Sequence, residues 1–326
     1  MTHPSSFLAV GAALVDVVTR VDDGFLNLHG LELGQMHLLD LTQARNLYGA
    51  VGQTDESAGG SCANTAAIAA SLGADVSFLG KTCDDQLGEI FWHDMSISNT
   101  KLLKATTAKT PELETGRCLS LVTPNGQRTM GTYLGACQTL TIEDAHTAGV
   151  QNRTDWLFLE AYLLDTPNGI DLVRHLLTHH QGPIALTLSD ARCVQRHKAF
   201  LEAALAKLTL LLGNEDEMAE MFDGDAEKPA ELLNTASTHV PLAVCTNGKN
   251  GVYALENGHI HHVPAQKANV VDTTGAGDSF AGGVMHALCS GQTLTQGAQI
   301  GVKIAAHIVS VVGARPKVDL NTLVQG

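Results

Sequence analysis

The chain has 326 residues and a mass of 34.3 kDa, with 44 % hydrophobic residues, 17 % charged residues and a mean hydropathy of +0.05. That composition excludes disorder and coiled coil, and the length suits one or two α/β units. Twenty Lys and Arg against 34 Asp and Glu leave a net charge of −14 with no basic run, which argues against nucleic acid and anionic membrane surfaces as partners. An anionic ligand then has to be held by local backbone N–H groups and a few cations. No apolar stretch approaches the ~20 residues needed to span a bilayer. The opening MTHPSSFLAVGAALVD lacks a basic region and reads as a first strand, not a signal peptide. Cys62, Cys83, Cys118, Cys137, Cys193, Cys245 and Cys289 show no CxxC spacing, which favours reduced thiols and a cytoplasmic setting.

Short apolar runs at 7–10, 76–79, 156–159, 184–188, 208–212 and 242–245 alternate with stretches of helical spacing such as 61–72 and 170–177. This alternation predicts βαβ units: a doubly wound, mostly parallel sheet with helices on both faces. Two stretches break the rhythm. Residues 19–56 lack helix–strand alternation, and 106–134 read as a hairpin around Pro124-Asn125-Gly126. The expectation is an α/β core from 1–16, 57–103 and 136–326, with a small β-rich lid from 17–56 and 104–135. A second hairpin is expected around Asn257-Gly258, and a closing helix over 293–312.

The most informative segment is VVDTTGAGDSFAGGVMHALCSG, residues 270–291. A strand is expected to end near Asp272, and Thr274-Gly275-Ala276-Gly277 to open a helix that stops at Gly291. Glycines at a strand-to-helix turn leave the first N–H groups bare, and with the helix dipole they attract an anion. Asp278, in the first turn, is stabilised as an anion and can accept a proton. A phosphate pocket beside a base suits transfer of phosphoryl to a hydroxyl. An ordinary glycine-rich turn with an acidic first-turn residue fits the same letters equally well. The Lys-Ser/Thr of a Walker A loop is missing, and Phe280 stands where G-x-G-x-x-G needs its third glycine.

DTTGAGDSF, residues 272–280, resembles the C-terminal signature of the ribokinase-like (PfkB) carbohydrate and nucleoside kinases. AGGSCANTAAIAASLGADVSFLGKTCDDQLGEIF, residues 58–91, resembles the family's N-terminal block. The resemblance implies that Asp278 is the catalytic base and that Gly275, Ala276 and Gly277 form the anion hole. It implies that Gly59 and Gly60 form a hinge between core and lid, and that Asp16 and Asn64 hold acceptor hydroxyls. Independently, a carboxylate at the end of strand one and an amide in a first helical turn belong at the ligand-binding edge of an open α/β sheet. Solvation in a turn for Asp16 and helix capping for Asn64 are the plainer alternatives.

Asn214 and Glu217 match the family's N-x-x-E motif, which implies a place beside the phosphates and a hydrated Mg²⁺; a helix cap followed by first-turn acids reads the same way. Thr246, Gly248 and Gly251 match its nucleotide loop, and His307 falls where relatives line the base of ATP. The backbone near Asp272, Thr274 and Gly313 is where many relatives hold a monovalent cation such as K⁺. Arg128, on the returning arm of the hairpin, suits a phosphate clamp or a solvated surface position. His259, His261 and His262 read as surface strand histidines.

Residues 59–67 look more like the nucleoside-kinase branch of the family than like ribokinase, and 123–137 and 186–197 look like those of bacterial proteins classed with adenosine kinases. The resemblance therefore implies a kinase that moves the γ-phosphoryl of ATP to a primary hydroxyl, with adenosine as the expected acceptor. A ribose- or fructose-like sugar is the alternative acceptor. A non-catalytic sugar- or nucleotide-binding protein is a second alternative, against which Asp278 and its glycines speak. The lid sheet is compatible with a monomer or a homodimer.

Overall fold

The computed structural model describes residues 5–107, 109–124, 127–315 and 318–324. The chain forms β1 (Ser6–Val10), crosses at once into β2 (Leu14–Arg20), and continues through α1 (Asp23–Leu28), β3 (Met36–Leu38), α2 (Leu41–Ala50) and β4 (Asp55–Gly59). It then forms α3 (Ser61–Ser71), β5 (Asp75–Cys83), α4 (Gln86–Ile97) and β6 (Lys101–Thr107), followed by the hairpin β7 (Gly116–Val122) and β8 (Arg128–Tyr133). A regular alternation comes next: α5 (Ile142–Thr147), β9 (Trp156–Glu160), α6 (Gly169–His179), β10 (Ile184–Thr187), α7 (Ala191–Leu205), β11 (Leu210–Asn214), α8 (Glu215–Phe222), α9 (Pro229–Ala236) and β12 (Leu242–Thr246). The hairpin β13 (Val252–Glu256) and β14 (His259–Val263) precedes α10 (Ala276–Cys289), α11 (Leu294–Ile308) and α12 (Asn321–Val324).

The main sheet has nine strands in the order β14-β13-β12-β11-β10-β9-β1-β5-β6. From β12 to β6 every neighbour is parallel, and β13 is antiparallel to both its neighbours. Side chains alternate between the faces. Phe7, Ala9, Phe78 and Phe158 pack with α3, α4, α10 and α11, whereas Leu8, Val10, Leu79 and Leu157 pack with α5 to α9. A parallel strand covered on both faces has to be apolar at every position, which is why these runs show no polar alternation. The architecture is the doubly wound, mostly parallel α/β class expected from the alternation.

A second sheet of five strands, β3-β8-β7-β2-β4, stands beside the first. Its Val15, Val17 and Leu119 join the cluster around α3 and α4. The chain enters this sheet through 11–13 and leaves it at Gly60, whose φ of +97° suits glycine. A Cβ there would lie 2.2 Å from the Ala12 carbonyl oxygen, so the two crossings are in contact.

Several local expectations differ from the structure. Asp16 lies inside β2 of the second sheet, not at the end of the first strand, because the chain changes sheets within three residues. β6 pairs with β5 in the main sheet as far as Thr107, past the expected boundary at 103, because the long β5 offers partners up to Cys83. The 19–56 stretch holds two helices, each with a side-chain cap: Asp22 for α1, and Asp40 with a reciprocal Gln43 for α2. No strand leads to Asp272 among the described residues; the N–H groups of Val271 and Asp272 bond instead to the Val309 carbonyl past the end of α11. The closing helix stops at Ile308, not 312. Pro124 is described as a turn residue, while the Asn125-Gly126 of the same hairpin lie outside the described residues.

Candidate active site

α10 starts from Gly275, a left-handed residue at φ +70°, and no side chain caps this end. A Cβ on Gly275 would lie 2.4 Å from that of Ala314, so glycine is required there by both conformation and space. Gly277, by contrast, faces open space, with nothing within 4 Å of an added Cβ. Uncapped N–H groups at the positive end of a 14-residue helix form an anion site.

Asp278 follows in the first turn of α10. Its Oδ1 accepts from Ser61 Oγ at 2.7 Å, its Oδ2 from Asn64 Nδ2 at 3.1 Å, and its backbone carbonyl from Thr65 Oγ1 at 3.2 Å. All three donors lie in the first turns of α3, so two helix N-termini meet at this carboxylate. Burial raises the Asp278 pKa above the usual carboxylate value, against the opposing pull of Ser61, Asn64 and Arg315. A carboxylate raised in this way, yet hydrogen-bonded in place, is a better proton acceptor than a solvated one.

Asp16 reaches the same region from β2, and burial pushes its pKa up to about 6. A Cβ on Gly59 would come within 2.4 Å of the Asp16 carboxyl carbon, so the glycine there makes room for the acid. Two further residues complete this floor. Glu160, at the end of β9, is 1 % exposed and accepts from the N–H groups of Ala12 and Cys62. Arg315 donates from Nε to Asn64 Oδ1 at 3.3 Å and lowers the pKa of both Asp16 and Asp278. The sequence reading missed both. Glu160 carried a signal, an acid ending a buried strand, whereas Arg315 follows a helix end with no periodic cue.

Three cavities run through this region. One of 320 Å³ is bounded by Asp16, Gly60, Asn64, Arg128, Glu160 and Asp278, with Met36, Leu38 and Met130 contributed by the second sheet. Tyr162 is the aromatic in its wall; Phe25, Tyr48 and Tyr133 do not line it. A cavity of 180 Å³ is lined by Asn214, Glu217, Thr246, Gly277 and Asp278. The largest of the three, 620 Å³, is lined by Thr246, Gly248, Gly251, Ala276, Gly277, the Val302, Ala305 and Ala306 face of α11, and Val309 just past its end. Gly277 therefore borders both the large cavity and the 180 Å³ one, and Asp278 borders both the 180 Å³ cavity and the 320 Å³ one. His307 does not line the large cavity; its Nε2 is buried without a hydrogen-bond partner among the described residues.

Asn214 caps α8 in a reciprocal box with Glu217. Burial pushes the Glu217 pKa up to about 7, so a cation nearby would relieve a charge the fold holds at some cost. Its bonds go to Asn214, which leaves lone pairs facing the 180 Å³ cavity, and this fits a divalent ion held through water. Arg128 projects from β8 to the loop before α10. Its Nη1 lies 2.5 Å from Asp272 Oδ1 and also bonds Thr274, and its Nε donates to Ser120 Oγ at 2.7 Å. Asp272 further accepts from the N–H groups of Thr274 and Gly313. Burial would raise its pKa, but these donors and Arg128 outweigh that and hold it below the usual range. Asp272, expected near a monovalent cation, is thus bonded to Arg128, Thr274 and Gly313.

Asp165, Cys193 and His197 lie close enough together to share a metal ion. Arg196, however, forks onto Asp165 at 2.9 and 2.5 Å, and His197 adds a bond of 2.7 Å, so this carboxylate already has its countercharge. All seven cysteines are free, and no helix among the described residues is long and apolar enough to cross a membrane.

The sequence profile of the pfkB family carbohydrate kinases matches residues 35–320. The adenosine kinase from Sinorhizobium meliloti superposes with a TM-score of 0.89 at 33 % identity, covering 100 % of this chain and 99 % of that one. The ribokinase of Staphylococcus aureus is 26 % identical over 80 % of this chain and 85 % of its own length. Adenosine kinase 1 of Arabidopsis thaliana is 25 % identical over 89 % of each. The chain thus belongs to the pfkB family of carbohydrate kinases, phosphotransferases whose acceptor is a hydroxyl group.

Proposed function

We propose that the protein transfers the γ-phosphoryl of ATP to the 5′-hydroxyl of adenosine. The observation that carries the reading is the line of cavities, with Gly277 and Asp278 at the junction of the large apolar one and the acidic ones. ATP is read into the 620 Å³ cavity, its phosphates toward the 275–277 amides, and the acceptor into the 320 Å³ cavity. Asp278 takes the proton of the attacking hydroxyl, and the bare N–H groups of the α10 first turn stabilise charge on the phosphoryl in flight. Asn214 and Glu217 would hold a hydrated Mg²⁺, which when bound neutralises phosphate charge. The second sheet acts as a lid that excludes water, Gly59 and Gly60 being its hinge, and Asp16 and Asn64 hold sugar hydroxyls.

What favours a nucleoside over a free sugar is the wall of the acceptor cavity. Met36, Leu38, Met130, Leu134 and Leu163 line it, an apolar surface that suits the face of a base better than sugar hydroxyls. Apolar burial is worth about 25 cal/mol per Å², so roughly 55 Å² of covered base corresponds to a factor of ten in affinity. Binding energy remote from the reacting hydroxyl can also drive lid closure and raise kcat. The stacking surface is aliphatic and sulfur-bearing together with Tyr162, not an aromatic sandwich.

Steady-state kinetics with adenosine, inosine, ribose and fructose at fixed Mg·ATP test the assignment. Adenosine is expected to give the highest kcat/KM. A free sugar turned over with the higher value overturns the nucleoside reading and leaves a sugar kinase of the same family.

A further inference from the structure

We propose that Glu160 is a positioning residue that pins together the two chain crossings joining the second sheet to the core. By doing so it would set where Asp16, Ser61 and Asn64 stand when the acceptor is bound. The proposal rests on the reading of the second sheet as a mobile lid.

The geometry is specific. Glu160 Oε1 accepts from the Ala12 N–H at 2.8 Å, and Oε2 from the Cys62 N–H at 2.7 Å. Ala12 lies in the crossing from β1 to β2, four residues before Asp16. Cys62 lies just past the return crossing, between Ser61 and Asn64. One carboxylate therefore spans the outgoing and returning segments with one oxygen each. Both segments are packed too tightly for larger residues: a Cβ on Gly11 would lie 2.5 Å from the Cys62 Cβ and 2.9 Å from the Glu160 carboxyl carbon. The other pair of crossings is joined backbone to backbone, Ala136 N to Glu114 O at 2.9 Å, whereas this pair is joined through a side chain.

Such a pin is unusual in cost and in consequence. A carboxylate 1 % exposed is expensive to keep charged, and its two N–H donors are what retain it. Burial pushes its pKa up to about 7, against the pull of the Ala12 and Cys62 amides, with Asp278 of α10 pushing the same way as burial. The thiols facing it are Cys62 of α3 and Cys137 in the turn after β8. On protonation one oxygen becomes a donor and one crossing loses its acceptor; the tie between the two crossings is then broken, and both are free to open together. An amide at this position would have the same defect permanently, since only one of its two polar atoms accepts.

The test pairs Glu160→Gln with Glu160→Asp and reads two independent quantities. The first is native-state hydrogen exchange of the free protein. The Ala12 and Cys62 amides are expected to be protected together in the wild type and to lose protection by at least tenfold in the variant. The second is turnover with ATP and adenosine. Glu160→Gln is expected to raise the acceptor KM at least tenfold and to release more than one ADP per nucleoside phosphorylated. The ATP KM is expected to stay within twofold, since Glu160 does not line the 620 Å³ cavity. Glu160→Asp, one methylene short, is expected to fall between. Protection lost at only one amide, or both amides unchanged, overturns the pin. Both amides exposed with an unchanged acceptor KM and ADP ratio would retain the pin as a structural contact and overturn its link to lid closure. Should Glu160→Gln fail to fold, wild-type exchange at pH 6 and pH 8.5, corrected for intrinsic rates, serves instead. Faster exchange of both amides at the lower pH supports the pin, and no difference overturns it.

Discussion

Replacing Asp278 by Asn isolates the proton acceptor from the rest of the site. The amide has the same shape, keeps one oxygen for the Asn64 Nδ2 donor now at 3.1 Å, and can turn its NH₂ toward Ser61 Oγ, now at 2.7 Å, which as a hydroxyl can accept. The helix N-terminus and its bare amides are untouched, and Gly277 still faces the 620 Å³ cavity. What is lost is the proposed base. Removing a positioned general base usually costs ~10²–10⁴-fold in rate, which corresponds to about 2.7–5.4 kcal/mol of transition-state stabilisation. Folding stability is expected to hold or rise, because burial keeps Asp278 above its ordinary pKa and the charge therefore costs stability at neutral pH. Any gain grows with pH, since the native acid is ionised more fully as pH rises while the amide is not. An ADP-release assay, a thermal melt at pH 5 and pH 8, and a titration with Mg·ADP check the three parts. A kcat within tenfold of wild type would refute the role of Asp278 as base, and nucleotide affinity falling as far as kcat would place its contribution in binding instead.

Further outcomes are expected. Gly277→Ala is predicted to fold like wild type, because a Cβ there meets nothing within 4 Å, yet to lose at least tenfold in kcat/KM for ATP; Gly275→Ala, at φ +70° and 2.4 Å from Ala314, is predicted to lose stability by ~1–3 kcal/mol. Equal melting temperatures for the two variants would show that the helix start tolerates both. Arg128→Gln removes the cation from a pair whose side chains are 16 % and 5 % exposed, and breaking such a pair costs ~3–5 kcal/mol when a buried charge is left behind. Urea unfolding within about 1 kcal/mol of wild type would mean that Asp272 is held sufficiently by its backbone donors. The pH dependence of stability follows from Asp16, raised to about 6, and Glu160 and Glu217, raised to about 7. Between the unfolded carboxyl range and pH 7 the native state holds protons that the unfolded chain has shed, so stability is expected to fall as pH rises through that window. Asp165 and Asp272, held below the usual range, act oppositely and lose their contribution only in acid. A melting temperature that climbs steadily from pH 5 to pH 8 would refute this balance.

The amino-acid sequence by itself determined the class of fold and the position of one glycine-rich helix start with an acid in its first turn. Unbroken apolar runs such as Trp156–Leu159, alternating with amphipathic stretches, specify strands buried on both faces, because burial on two sides removes the polar alternation. The glycines and acid of 275–278 likewise specify an uncapped helix N-terminus, a property of the local backbone. What the tertiary structure decided is which groups meet there. Asn64 bonds Asp278 across 214 residues of chain, and nothing in the periodicity of either helix says that α3 and α10 converge at their N-termini. Asp16 belongs to the second sheet because the chain crosses over within three residues, too short a step to alter any pattern. Arg128, legible as a stray cation, is committed to Asp272 because β8 and the loop before α10 are brought together by the packing of two sheets. Glu160 ends a buried strand, a position visible in the letters, but its partners are backbone N–H groups, which no sequence letter reports. Local pattern records how each segment is buried; the site depends on which segments are buried against each other, and that is fixed by the sum of many weak contacts distributed over the whole chain.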